Sequence, residues 1–328
     1  YEEGKIAKVY GYMTDILTEK AVRFIHDSAI RPFFLYVGHK AVHPEASQRN
    51  DGSADLSVKR EFIPAKRHKD RYKNAEVKAL DKYPVTKDFN PLNESLTIRE
   101  KLKRSDERWN SWINSGFSED TIRARAEMML SVDESLGKIV RALQEMAVLD
   151  NTLIVFTSDN GYFYGEHGLT IERRYPYEEA IKVPLIIRKP KTQYTAKTSA
   201  ITDTLVSSVD LAPTILEYAN IAIPASIQGH SFHSLLEEGQ KPMREAVFIE
   251  HFAHENPFTW TAKVDYKALI SGQYKLIKWT QYDKEYELYN LEEDPRELNN
   301  LAKQDAYKKR LADMLDQLKA EILNSMGM

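Results

Sequence analysis

Cysteine is absent from all 328 residues. That excludes disulfides, thiolate metal sites and a cysteine nucleophile within this stretch. Long apolar runs are missing as well: Phe33 to Gly38 and Leu153 to Thr157 are strand-sized, too short for a membrane-spanning helix. No charge of one sign dominates, since 46 Lys and Arg against 49 Asp and Glu leave a formal net charge of −3. A near-neutral balance lacks the polyanion-binding signature of a nucleic-acid protein. The local basic cluster Lys66 to Lys73 is either a solvated loop or a contact with an anionic substrate. Tyr1 follows no initiator methionine or leader, so any export signal is expected upstream.

With 42% hydrophobic and 29% charged residues, the chain suits one large core with a smaller appendage. Val9 to His26 carries Met13, Ile16, Leu17, Ala21, Phe24 and Ile25 at helical spacing, and feeds the β-prone run Phe33 to Gly38. From Glu45 to about Ser118 the pattern dissolves into charged, Pro-punctuated sequence, as in a long insertion of loops. Ser118, Glu119 and Asp120 then offer a helix start, followed by Ile122, Ala126, Met129, Leu136, Ile139, Val140, Leu143 and Met146. That stripe predicts one amphipathic helix from about 119 to 147.

Asn151 to Ser158 and Val183 to Arg188 read as buried strands, and Val209 to Leu216 opens another helix. Alternating strand and helix predict an α/β fold with a mostly parallel central sheet flanked by helices. After about Pro242 the texture changes to short strands, Val247 to Glu250, Lys267 to Ile270 and Tyr274 to Trp279, and then a charged helix from about Asp305 to Leu323. The expected organisation is therefore a main domain over about 1–242, with an insertion over about 45–118, and a C-terminal subdomain over about 243–328 made of a small antiparallel sheet and one helix.

Ser158, Asp159, Asn160 and Gly161 directly follow a predicted strand, placing a carboxylate and an amide oxygen at its carboxyl end. Two hard oxygen donors there suit calcium or magnesium; a plain Asx turn is the other reading. Downstream, His167 lies in the run Gly165 to Leu169, and Arg173 and Arg174 lead into Tyr177, Glu178 and Glu179. Guanidinium forks match the planar oxygens of sulfate or phosphate esters. A second constellation, His39, Lys40 and His43, follows the run that ends at Gly38. Such a group can bind an oxyanion and deliver a proton near neutral pH.

These segments together resemble the formylglycine-dependent sulfatases of the alkaline-phosphatase-like superfamily. Phe33 to Pro44 is similar to the family segment in which an apolar strand runs into His-Lys-Ala-Pro-His. Thr157 to Gly161, Gly165 to Leu169 and Tyr177 to Glu179 resemble its metal-ligand strand and following basic segment; Glu287 to Leu291 with Asp294, Pro295, Asn300 and Leu301 resembles its C-terminal signature. Within the family the texture is closest to N-acetylglucosamine-6-sulfatase-like polysaccharide sulfatases. The resemblance implies an alkaline-phosphatase-like sandwich. It also implies Asp159 and Asn160 as two ligands of a single calcium ion, and His43 as the histidine contacting the sulfate and its leaving-group oxygen. Arg173 or Arg174 stands where most members have a sulfate-binding lysine, and Lys40 and His167 are further substrate-binding candidates.

The family's nucleophile, a formylglycine made in a Cys/Ser-x-Pro-Ser/Ala-Arg motif, has no match here, nor has its early Asp-Asp pair. Both are expected upstream, and this stretch alone is expected to be inactive. The mechanism implied by the resemblance has a hydrated aldehyde attack sulfur while metal and cations neutralise the sulfate oxygens and His43 protonates the departing oxygen. The implied partner is a small-molecule or glycan sulfate ester, and the implied location periplasmic or secreted. A phosphodiester or phosphonate-ester hydrolase of the same fold is the nearest rival, and a non-catalytic sulfoglycan-binding protein the next. Sugar contacts are sought in the insertion from Glu45 to Ser118 and in His251 to Trp260, for which anchoring of the C-terminal subdomain is the equal alternative.

Overall fold

The computed structural model describes residues 9–45, 61–77, 118–164, 166–168, 173–191, 204–238, 244–252, 265–280 and 285–325. Most of the insertion expected over 45–118, and residues 253–260 of the proposed sugar-contact stretch, lie outside them. The chain divides into two compact units. One comprises Tyr1–Lys82, Ser115–Thr152 and Lys189–Gln193; the other comprises Tyr83–Asn114, Leu153–Arg188 and Tyr194–Met328.

The first unit is built on two packed helices, α1 (Met13–Ser28) and α2 (Glu119–Glu145). Ser118 caps α2 by accepting a hydrogen bond from the Thr121 backbone N–H at 3.2 Å, and Glu119 and Asp120 place negative charge at the positive end of the helix dipole. The helical period is as expected, and Ala21, Ile25 and Leu143 are buried as expected, but the rest of the covered faces is not the expected apolar stripe. On α1 the covered residues are Thr14, Thr18, Ala21, Ile25 and Ser28, while Met13 and Phe24 are exposed. On α2 they include Arg125, Met128, Ser131, Val132, Ser135, Ala142 and Leu143, while Met129 is exposed. Small hydroxyl residues line the contact because they allow close approach and bond across it: Thr18 Oγ1 donates to Ser135 Oγ at 2.7 Å.

Phe33 to Gly38 is the clearest departure from expectation. The segment is extended, but it has no ladder partner among the described residues, and Phe34 and Tyr36 are 69% and 82% exposed. An apolar β-prone run specifies extended backbone locally; a strand also needs a neighbour. The basic cluster Lys66 to Lys73 is mostly exposed, with Arg67 held by Asp15 and Glu134.

The second unit begins with β1 (Ile154–Thr157), returns through the one-turn helix α3 (Glu178–Ile181), and pairs with β2 (Leu185–Arg188). That pair is antiparallel, Ile154 opposite Arg188 and Thr157 opposite Leu185, where strand–helix alternation had suggested parallel neighbours. The described residues of the connection hold no long crossover helix of the kind that usually joins parallel strands. Helices α4 (Leu211–Tyr218) and α5 (His233–Glu238) come next.

The C-terminal sheet is an antiparallel meander in the order β3 (Ala246–His251), β4 (Tyr266–Ser271), β5 (Tyr274–Trp279), β6 (Tyr286–Asn290). Gly272, at φ +56°, makes the tight β4–β5 turn. The last strand was not recognised in the sequence. The charged C-terminal helix, α6 (Lys308–Ser325), covers one face of the sheet, Met314 and Leu318 packing with Leu269, Leu276, Leu288 and Leu301. The other face, with Ala268, Ile277, Trp279 and Tyr289, packs against Phe163, Tyr175, Tyr177 and Ala180. Because both faces are covered, β5 is apolar on both sides, and a charged residue on it must find a partner inside.

Candidate functional site

In the first unit, the candidates sit in one turn after the extended segment. His39 Nε2 lies 3.0 Å from Ser135 Oγ, tying the turn to α2, and burial holds this histidine's pKa below its ordinary value. Lys40 is exposed; its carbonyl accepts the His43 backbone N–H at 2.8 Å. His43 is half-buried with Nδ1 2.8 Å from the Pro44 carbonyl oxygen. That contact makes Nδ1 the N–H donor, so proton exchange by this ring falls to Nε2.

In the second unit, β1 delivers Asp159 and Asn160 into a turn whose oxygens are only half used. Asp159 Oδ1 accepts the Asn160 backbone N–H at 2.9 Å and the Ser158 hydroxyl at 3.3 Å; the Asn160 side-chain N–H donates to the Gly161 carbonyl at 2.7 Å. Asp159 Oδ2 and Asn160 Oδ1 accept no hydrogen bond among the described residues. The Asx turn is thus real, and it orients the two remaining oxygens rather than consuming them. Two hard oxygens of this kind fit calcium or magnesium.

The turn is laced by backbone to the segment containing Glu179. Gly161 N–H donates to the Ala180 carbonyl at 2.8 Å and Tyr162 N–H to the Glu179 carbonyl at 2.9 Å. The approach is so close that a Cβ on Gly161 would lie 1.9 Å from the Glu179 carbonyl oxygen. A glycine is required there for space.

His167 is enclosed rather than open. It is 2% exposed, its ring stacks on Tyr177 at 4.0 Å, and Nε2 makes an ion-pair contact with Glu179 Oε2 at 3.3 Å. From there it orients its neighbours. Burial pushes the Glu179 carboxyl up, but the His167 contact and charge outweigh it and hold the group below its ordinary value. Arg173 and Arg174 are half-buried and lead directly into buried Tyr175, Pro176 and Tyr177.

Beneath this segment lies a polar network that sequence reasoning missed. Lys275 on β5 is fully buried, with Nζ 2.7 Å from Glu297 Oε1, 2.8 Å from Glu178 Oε1 and 3.2 Å from the Pro176 carbonyl oxygen. Glu297 Oε2 also accepts the Glu178 backbone N–H at 2.8 Å. On β6, Glu287 accepts hydrogen bonds from Tyr177 (2.9 Å), Tyr289 (2.6 Å) and Trp279 (3.0 Å). Burial pushes the Glu297 carboxyl up to about 7, with Lys275 opposing the rise. A lysine inside an apolar strand, at Lys275, was the one available signal in the sequence.

Residues 1–221 match the sulfatase family model, and residues 165–324 match the model described as N-sulphoglucosamine sulphohydrolase, C-terminal. The chain belongs to the sulfatase family. It is 30% identical over 372 residues to an N-acetylglucosamine-6-O-sulfatase of Bacteroides thetaiotaomicron, covering 97% of this chain and 62% of that protein. It is 29% identical over 324 residues to the N-acetylglucosamine-6-sulfatase of Bos taurus, covering 89% and 52%. A solved structure of a protein in complex with its substrate D-glucosamine-2-N,6-O-disulfate superposes with a TM-score of 0.69 at 25% identity, covering 99% of this chain and 72% of that one. The family and its alkaline-phosphatase-like fold, expected from the motifs, are thereby borne out. This sulfatase chain spans little more than half to three-fifths of the length of these curated relatives. No helix among its described residues is long and apolar enough to cross a membrane.

Proposed function

We propose that the protein containing this chain hydrolyses the sulfate ester of a sulfated amino sugar, and that Asp159 and Asn160 are ligands of its calcium ion. The observation that carries the reading is the turn after β1, where Asp159 Oδ2 and Asn160 Oδ1 remain available while Gly161 and Tyr162 are bound to the 179–180 backbone. Kinship to N-acetylglucosamine-6-sulfatases supports the substrate class. A periplasmic or secreted location suits an enzyme that acts on polysaccharide sulfates.

Calcium, when bound, would neutralise charge on the sulfate oxygens. His43, with Nδ1 engaged by the Pro44 carbonyl, would hold a proton at Nε2 for the departing sugar oxygen. Arg173 and Arg174 would supply guanidinium donors to the sulfate, and Lys40 a further positive charge. His167 would act from behind, holding Tyr177 and Glu179. The family's formylglycine has no source within these residues, which lack cysteine and any Ser-x-Pro motif. Its position is therefore expected elsewhere in the protein, and the 328 residues alone are expected to turn over no sulfate ester.

The test is turnover of glucosamine 6-O-sulfate, an aryl sulfate and a phosphate diester by the full-length protein, with metal content measured in wild type and Asp159→Ala. Desulfation of the sugar that is lost with chelation, together with lost calcium in the variant, is the expected result. A preference for the diester, or full activity and metal content in Asp159→Ala, would overturn the reading.

A further inference from the structure

Lys275 stands where a charge is costly. Moving an ammonium out of water costs several kcal/mol even after relaxation, and a well-packed apolar residue would serve a simple sheet face as well. Its neighbours nonetheless form a set. Glu297 and Glu178 meet its Nζ at 2.7 and 2.8 Å, and the Pro176 carbonyl accepts from it at 3.2 Å. His167, Glu179 and Glu297 also bring ligand atoms within 4.8 Å of one another, as a metal site would. The cation such a cluster calls for is already there, in the ammonium of Lys275.

Apart from Glu297, the groups that Lys275 holds, Pro176 and Glu178, belong to one stretch, 176–180, and that stretch carries the candidate metal turn. The Glu178 N–H is fixed by Glu297, and the Glu179 and Ala180 carbonyls accept the N–H groups of Tyr162 and Gly161. Gly161 is pressed so closely on the Glu179 carbonyl that a displacement of 179–180 must carry Gly161, and with it the adjoining Asn160 and Asp159.

We propose that Lys275 is a positioning residue for the Asp159–Asn160 turn, acting through Glu297, Glu178 and the 176–180 backbone. This rests on the reading of Asp159 and Asn160 as calcium ligands. Without the ammonium, two buried carboxylate oxygens, Glu178 Oε1 and Glu297 Oε1, face each other with no cation between them. They move apart, and the turn oxygens leave the geometry that an ion requires. Partners that orient metal ligands are worth about 10–100-fold in metal affinity when removed, and about tenfold is expected here because the coupling runs through backbone.

The experiment is calorimetric titration of the chelator-stripped full-length protein with calcium, for wild type, Asp159→Asn, Lys275→Met and Glu297→Gln, each first checked for folding by circular dichroism. The expected result is loss of binding in Asp159→Asn, about tenfold weaker binding in folded Lys275→Met, and a smaller loss in Glu297→Gln, which keeps the acceptor for the Glu178 N–H. Excess calcium should restore kcat in Lys275→Met with KM for the sulfate ester unchanged; a residue that only supported the fold would lower the melting temperature and leave calcium affinity alone. Should Lys275→Met fail to fold, Glu297→Gln decides alone. Loss of binding in Asp159→Asn with wild-type affinity in both other variants overturns this inference while leaving the metal reading intact. Wild-type affinity in Asp159→Asn overturns both.

Discussion

Replacing Gly161 by alanine adds one methyl group to the turn after β1, and the structure leaves it no room. The new Cβ would lie 1.9 Å from the Glu179 carbonyl oxygen, 2.9 Å from its carbon and 3.2 Å from the Ala180 Cα. All three obstacles are backbone atoms, so no side-chain rotation relieves the overlap. The two segments must separate, which breaks the hydrogen bonds from Gly161 to Ala180 and from Tyr162 to Glu179. Overpacking costs about 1–3 kcal/mol, and each lost bond adds roughly 1 kcal/mol. The expected destabilisation is about 4 kcal/mol, or roughly 10 °C in melting temperature for a unit of this size. Gly272→Ala is the informative control. Nothing lies within 4 Å of its Cβ, and only the backbone angle of +56° opposes it, at about 1–2 kcal/mol. Thermal melts of both variants, with calcium titrations alongside, distinguish crowding from backbone strain. If Gly161→Ala melted no lower than Gly272→Ala and bound calcium as wild type does, the lacing of the turn to 179–180 would be wrong.

Two further outcomes are expected. Glu297 should make stability fall as pH rises between about 4.5, its ordinary value, and about 7. Across that window the folded chain keeps a proton that the unfolded chain has released, so folding is favoured at the acid end. The groups facing it are Lys275 from β5, Glu178 and Glu179 from α3, and His167. Glu297→Gln should flatten the dependence in urea melts taken across this range, and an unchanged slope would show that Glu297 is not the group responsible. Leu276, fully buried between the sheet and α6, should cost about 2–5 kcal/mol when cut to alanine. A denaturant midpoint within error of wild type would mean that α6 does not close this core.

The features legible in the sequence were those encoded within a few residues. The cap at Ser118 and the period that follows it announce α2, because an amphipathic helix is specified by neighbours three and four apart. Short β-prone runs separated by turn residues announce β3, β4 and β5 in the same way. The motifs around His43, Asp159, Asn160 and Tyr177 identify the family because chemistry demands particular side chains at particular spacings.

Other features depended on partners that local sequence does not name. Which face of α1 is covered was decided by α2, whose hydroxyl residues accept Thr18 and leave Met13 and Phe24 outside. Phe33 to Gly38 has a strand's composition but no ladder among the described residues, since pairing is a property of two segments. The antiparallel register of β1 with β2 is likewise a property of the pair. The support beneath the candidate metal turn was equally hidden: Lys275 meets Pro176 across 99 residues and Glu297 meets Glu178 across 119. A buried charge is tolerable only where opposite charges and hydrogen-bonding groups converge on it, and that convergence is created by tertiary folding.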